Sequence, residues 1–94
     1  MIVSFKHKGL ERFFLEGDSS KLQPHQVKRL RQMLTVLHHA QTLNDIDVPG
    51  YDLHPLKGKD KGIWSIKVNG NYRITFAFQA AKVEVIDVDY LDYH

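Results

Sequence analysis

Trp64-Ser65-Ile66-Lys67-Val68-Asn69-Gly70-Asn71-Tyr72-Arg73-Ile74-Thr75-Phe76 is the stretch that decides the fold. Apolar and polar residues alternate on both sides of Asn69-Gly70, the period expected of strands with one buried face. Asn-Gly between two such runs is the strongest short-range signal for a hairpin. The reading predicts two antiparallel strands, with Trp64, Ile66, Tyr72, Ile74, Phe76 and Phe78 on one face. Lys67, Arg73, Thr75 and Ala77 then belong to the other.

Outward from the hairpin, Gln79 to Lys82 reads as a turn and Val83 to about Asp89 as a last strand. Upstream, Tyr51, Leu53 and Leu56 suggest a short strand, and Pro55, which lacks an N–H, assigns it to an edge or irregular position. Lys59-Asp60-Lys61-Gly62 is a turn. The first half is helical. Leu10, Phe13 and Phe14 recur at helical spacing with Gly17 as a stop, predicting a helix over Lys8 to Glu16. Pro24 suits the first turn of a second helix, and Val27, Leu30, Met33, Leu34 and Leu37 form its apolar stripe to about Ala40. Thr42 to Asp47 suggests one further helical turn, ended by Pro49-Gly50. Ile2 to Phe5 reads as a first strand. The order β-α-α-β-β-β implies an α+β domain: two N-terminal helices packed on one face of a mainly antiparallel small sheet. Arg73, Thr75 and Lys67 then project from the face the helices leave open.

Composition narrows the function classes. Ninety-four residues without linker or repeat make one domain, 1–94, with one modest core. With no cysteine, disulfides, thiolate zinc and thiol redox chemistry are excluded, which fits a reducing, cytoplasmic setting. Neither a signal peptide nor an apolar run of about 20 residues is expected from the sequence. The net charge is +2, but the cations cluster: Lys21, Lys28, Arg29 and Arg31 in or before the second helix, and Lys57, Lys59, Lys61 and Lys67 around a turn. Such clusters suit phosphate contacts or form an ordinary solvated face.

Candidate chemistry lies in three places: His54 and Lys57 in Leu53-His54-Pro55-Leu56-Lys57-Gly58, Arg73 in the hairpin, and Asp92-Tyr93-His94 at the end of the chain. Two imidazoles, a lysine, an arginine and a tyrosine suit proton transfer beside a phosphodiester. Each piece alone also has a plain reading as an outward charge or polar tail. His54, Asp92 and His94 match a two-His, one-carboxylate metal set in composition only, since Lys57 and Arg73 would repel a cation. His38 and His39 are adjacent and diverge by about 100° on a helix, so they do not share an ion. The expectation is no metal and no cofactor. Serine triads, phosphate-cradling loops and dinucleotide fingerprints are absent.

Taken together, residues 1–10 (Met-Ile-Val-Ser-Phe-Lys-His-Lys-Gly-Leu), Leu53 to Gly58, Trp64 to Val68, Asn71 to Phe76 and Asp92-Tyr93-His94 resemble the RelE-like toxin superfamily, nearest its HigB branch. The resemblance runs along the whole chain in order. It implies a toxin of a type II toxin–antitoxin system: a ribosome-dependent mRNA endonuclease that inhibits translation. A HigA-type helix-turn-helix antitoxin would neutralise it, and operator DNA would be bound only through that complex. Carried over, the resemblance marks His54, Lys57, Arg73, Asp92, Tyr93 and His94 as catalytic. Lys21, Lys28, Arg29, Arg31, Lys59 and Lys61 are expected to meet the 70S ribosome and RNA. Tyr72 stands where the family commonly has tryptophan, and Leu91 where an acid is frequent. The rival reading is a catalytically silent RNA- or protein-binding module on the same fold.

Overall fold

A computed structural model describes residues 1–58 and 61–93. Lys59 and His94, both candidates above, lie outside the described residues. Helix α1 spans Lys8–Glu16, as its spacing predicts, and begins where the His7 ring accepts a hydrogen bond from the Leu10 N–H at 2.9 Å. It ends at Gly17, whose φ of 77° is the left-handed cap that glycine supplies without steric cost. A single 3₁₀ turn at Pro24–Gln26 leads into α2, Val27–His39. A second, Leu43–Ile46, is the further helical turn expected after Thr42, held by a reciprocal capping box between Thr42 and Asp45.

Four strands follow: β1 (His54–Pro55), β2 (Ile63–Asn69), β3 (Tyr72–Gln79) and β4 (Glu84–Asp92). They form one antiparallel sheet in the order β1-β2-β3-β4. The architecture is α+β, with two helices and a four-stranded sheet. The edge position argued from Pro55 holds: β1 is a two-residue strand at the sheet margin.

Three details depart from the sequence reading. The hairpin turn is centred one residue later than Asn69-Gly70, because Asn69 pairs with Tyr72 and leaves Gly70-Asn71 as the loop. Gly70 takes φ 54° and Asn71 does not enter the left-handed region, which fits a II′ turn with glycine first. Asn69 is employed elsewhere, its side-chain oxygen accepting from the Gln26 amide at 2.6 Å. Second, Ile2 to Phe5 makes two isolated parallel bridges to β4, at Ile2–Val85 and Phe5–Val88, rather than a regular strand. Between those bridges β4 carries an irregularity opposite Phe76, where Asp87 adopts φ 55° and its N–H turns to the Ser4 hydroxyl at 2.8 Å. A bulge takes those groups out of the ladder. Third, β4 continues to Asp92, past the expected end near Asp89.

The core lies between the helices and one sheet face. Leu10, Leu30, Met33 and Leu37 meet Ile66, Ile74, Phe76, Val85 and Val88, all fully buried. Burying a side chain of this size is worth about 1.5–3 kcal/mol. Among them Gln26 is also buried; it accepts from the Tyr90 hydroxyl and donates to Asn69, tying the start of α2 to β2 and β4. Burial pushes the Tyr90 phenol above its usual range, so it stays a donor. Arg29 closes the gap beyond the short β1. Its guanidinium donates to the carbonyls of Val68, Lys67 and Gly50, the last two at 3.0 and 3.2 Å, and lies over the Tyr51 ring. One side chain thus satisfies the β2 carbonyls of Lys67 and Val68 beyond the end of β1, together with the loop carbonyl of Gly50.

Candidate active site on the open sheet face

The alternation that buries Ile66 and Ile74 sends Ser65, Lys67, Arg73 and Thr75 to the opposite face, as the hairpin pattern predicts. Register builds a row across that face: His54 opposite Ser65, Ser65 opposite Thr75, and Thr75 opposite Asp89. One step along, Lys67 faces Arg73 and Arg73 faces Leu91. Ser65 and Thr75 are buried despite their hydroxyls. A depression of about 140 Å³ is lined by Thr75 together with, among others, Asp87, Asp89, Leu91 and Tyr93.

Two of the sequence candidates converge here, through a residue that sequence reasoning passed over. Asp52 places a carboxylate oxygen 3.5 Å from an Arg73 Nη and 3.9 Å from His54 Nδ1. Its backbone carbonyl lies 2.9 Å from the same Nδ1. Arg73 also donates towards the Ser65 hydroxyl, at 3.4 Å. The Arg73 side chain is 22% exposed and Asp52 62%, so the guanidinium is walled in while its carboxylate partner borders solvent. A guanidinium has five N–H donors in a fixed fork. With one end on Ser65 and one towards Asp52, Arg73 still has donors for an anion.

The signal for Asp52 was local. Asp52 sits in the left-handed region, at φ 51°, two positions before a histidine. Aspartate tolerates that conformation better than most residues, but no periodicity reveals it.

The other candidates are placed as follows. Lys57 is exposed just past β1, and the neighbouring Leu56 N–H bonds the Ile63 carbonyl at 2.8 Å. Tyr93 is exposed with its N–H on the Asn71 carbonyl at 2.8 Å, and it borders the depression. Asp92 is not brought to this row: it pairs with Tyr72, and strand alternation puts it on the side of Tyr90, where its charge helps raise that phenol. Of the proposed cationic set, Lys21, Lys28 and Arg31 are exposed on the helical side, remote from Arg73 in the layering, and the Arg31 guanidinium lies over the Phe13 ring. Lys61 is exposed in the turn before β2. Arg29, by contrast, is committed to backbone carbonyls; the physical reason is that those of Lys67 and Val68 lie beyond the end of β1, within reach of its guanidinium.

A positively charged side chain and an imidazole held together on an uncovered sheet face can bind an oxyanion and move a proton next to it. Comparison with known proteins supplies the family. The model for the RelE-like toxin of the type II toxin–antitoxin system HigB matches residues 3–94. The chain belongs to this family. Among individual relatives, this HigB-family toxin is similar to the endoribonuclease HigB of Proteus vulgaris, 40% identical over 94 residues and covering 100% of both chains. It is also similar to the toxin HigB-1 of Vibrio cholerae, 36% identical over 78 residues, 81% of this chain and 82% of the relative. An uncharacterised Haemophilus influenzae protein is 32% identical over 92 residues, 96% of this chain and 88% of its own.

Proposed function

We propose that this HigB-family toxin is a ribosome-dependent endoribonuclease that cleaves mRNA during translation and so arrests protein synthesis and growth. The observation that carries the reading is the juxtaposition of His54 and Arg73 on the sheet face that no helix covers. The name of the Proteus vulgaris relative, an endoribonuclease, supports the same reaction class.

The chemistry is metal-free transesterification. The 2′-oxygen attacks the adjacent phosphorus, the P–O5′ bond breaks, and the products are a 2′,3′-cyclic phosphate and a free 5′-hydroxyl. One group takes the 2′-OH proton and another protonates the departing 5′-oxygen. His54 and His94 are the proton carriers. Arg73 donates to the phosphoryl oxygens as charge builds on them, a role suited to a guanidinium that stays ionised at any working pH. Lys57 adds a second positive charge. Tyr93, at the margin of the depression, offers a ring for a base to stack on, as single-stranded RNA recognition commonly requires. Asp92 orients a histidine or contacts the RNA.

So few groups do not order a flexible strand. An A-site holding the message in an in-line geometry supplies the positioning term, worth at best about 7–11 kcal/mol. Lys21, Lys28, Arg31, Lys59 and Lys61 contact ribosomal RNA. A HigA-type antitoxin neutralises the toxin, and operator DNA is bound through that complex. The site of action is the cytoplasm.

The test is mapping of transcript 5′ ends after brief induction, with Arg73→Ala as control. Cuts at ribosome-positioned codons that vanish in the control and are absent on naked RNA support the reading. Growth arrest without new 5′ ends would replace it with a silent binding module.

A further inference from the structure

We infer that Asp52 is a positioning residue for His54: it dictates which ring nitrogen carries the proton, and Arg73 anchors it in place. A carbonyl oxygen can only accept, so the 2.9 Å contact between the Asp52 carbonyl and Nδ1 requires a proton on Nδ1. The carboxylate of the same residue, 3.9 Å away, favours that proton too. In the neutral ring the lone pair is therefore on Nε2, and Nε2 is the end that can take a proton from a substrate hydroxyl. Without such a partner an imidazole has no fixed tautomer, and the nitrogen bonded by the neighbouring acceptor decides which is present.

The arrangement depends on backbone conformation. Asp52 aims its carbonyl at the ring from φ 51°, in a region sparsely populated by residues with a side chain. Two contacts hold it there. The preceding Tyr51 carbonyl accepts from the Lys67 N–H at 2.6 Å, fixing the segment to β2. The Asp52 carboxylate is drawn to Arg73, 3.5 Å away. One acidic residue thereby links the phosphate-binding cation to the proton carrier, so that disturbing either loosens both. Its catalytic significance rests on the endoribonuclease reading, whereas the tautomer itself does not.

The experiment reads the two separately on the full chain. Long-range ¹H–¹⁵N correlation spectra report the protonated nitrogen of His54, and single-turnover cleavage of ribosome-bound message reports the rate. Wild type is expected to show the Nδ1–H form. Asp52→Asn, which tolerates the left-handed region and keeps the carbonyl, should retain it. Asp52→Val, whose branched side chain disfavours that region, should shift the ring to the Nε2–H form and lower the maximal single-turnover rate constant by at least about tenfold, with the half-saturating concentration changed far less. Asp52→Ala serves if the valine variant fails to fold, and a mixture of tautomers is expected there. An Nε2–H ring in wild type overturns the proposal, as does an unchanged tautomer in folded Asp52→Val or Asp52→Ala. Loss of the Nδ1–H form in a protein that never cleaves RNA upholds the positioning role while ending the endoribonuclease reading.

Discussion

Arg73 and Gln26 show how differently two polar side chains can be used on opposite faces of one hairpin. Arg73 keeps donors in reserve on the open side, so its loss is expected to remove function and spare the fold. Arg73→Ala should abolish mRNA cleavage and growth inhibition while the denaturation midpoint changes little; a soluble, folded Arg73→Ala that remains toxic would sink its assignment. Gln26 is the reverse case. It is buried with both ends of its amide engaged, by Tyr90 and Asn69. Gln26→Leu removes the acceptor of the buried Tyr90 hydroxyl and the donor to the half-buried Asn69 side chain, and a buried group that loses its partner costs about 1–3 kcal/mol. Urea unfolding of Gln26→Leu, Tyr90→Phe and the double variant should show the losses to be non-additive, since one network connects them.

Among elements, the telling comparison is between two neighbouring cations on α2. Lys28 is exposed, whereas Arg29 donates to three carbonyls beyond the end of β1. Arg29→Ala should therefore destabilise by roughly 1–3 kcal/mol, read by chemical denaturation. Lys28→Ala should stay within about 0.5 kcal/mol and instead weaken ribosome association with a shallower salt dependence. Charge clustering in the sequence could not separate the two, because it records type and spacing but not which carbonyls lack a partner. The hairpin itself was legible, since Ile66, Ile74 and Phe76 announce their buried face by alternation. Its turn falls one residue later because β2 carries an irregularity between Lys67 and Asn69 that lets Asn69 pair with Tyr72, while the Asn69 side chain is engaged by Gln26, 43 positions away in sequence. The same limit applies to the site. Arg73 could be assigned to the open face by parity, whereas Asp52 owes its place to a single backbone torsion that no pattern of side chains encodes.

For the whole molecule, the two ends of the chain are its most consequential pairing. The Ile2 N–H donates to His38 Nδ1 at 3.2 Å, so that ring must be neutral there. Burial, aided by the terminal ammonium and His39, holds His38 below its ordinary value of 6.5. The unfolded chain consequently binds a proton before the folded one, and stability falls as pH drops below 6.5, the loss being complete beneath the folded-state value. Unfolding midpoints compared between about pH 7.5 and pH 5.5 should decline in wild type and less in His38→Phe. Lys6 and Val3 donate to β4 carbonyls, and β4 N–H groups return to Met1 and Ser4, across separations of more than 80 positions. Bonds between such distant positions form only after the intervening chain has been closed into a loop, which is entropically slow. A growing polypeptide therefore has no way to seat its opening residues until β4 has been synthesised and has cleared the exit tunnel.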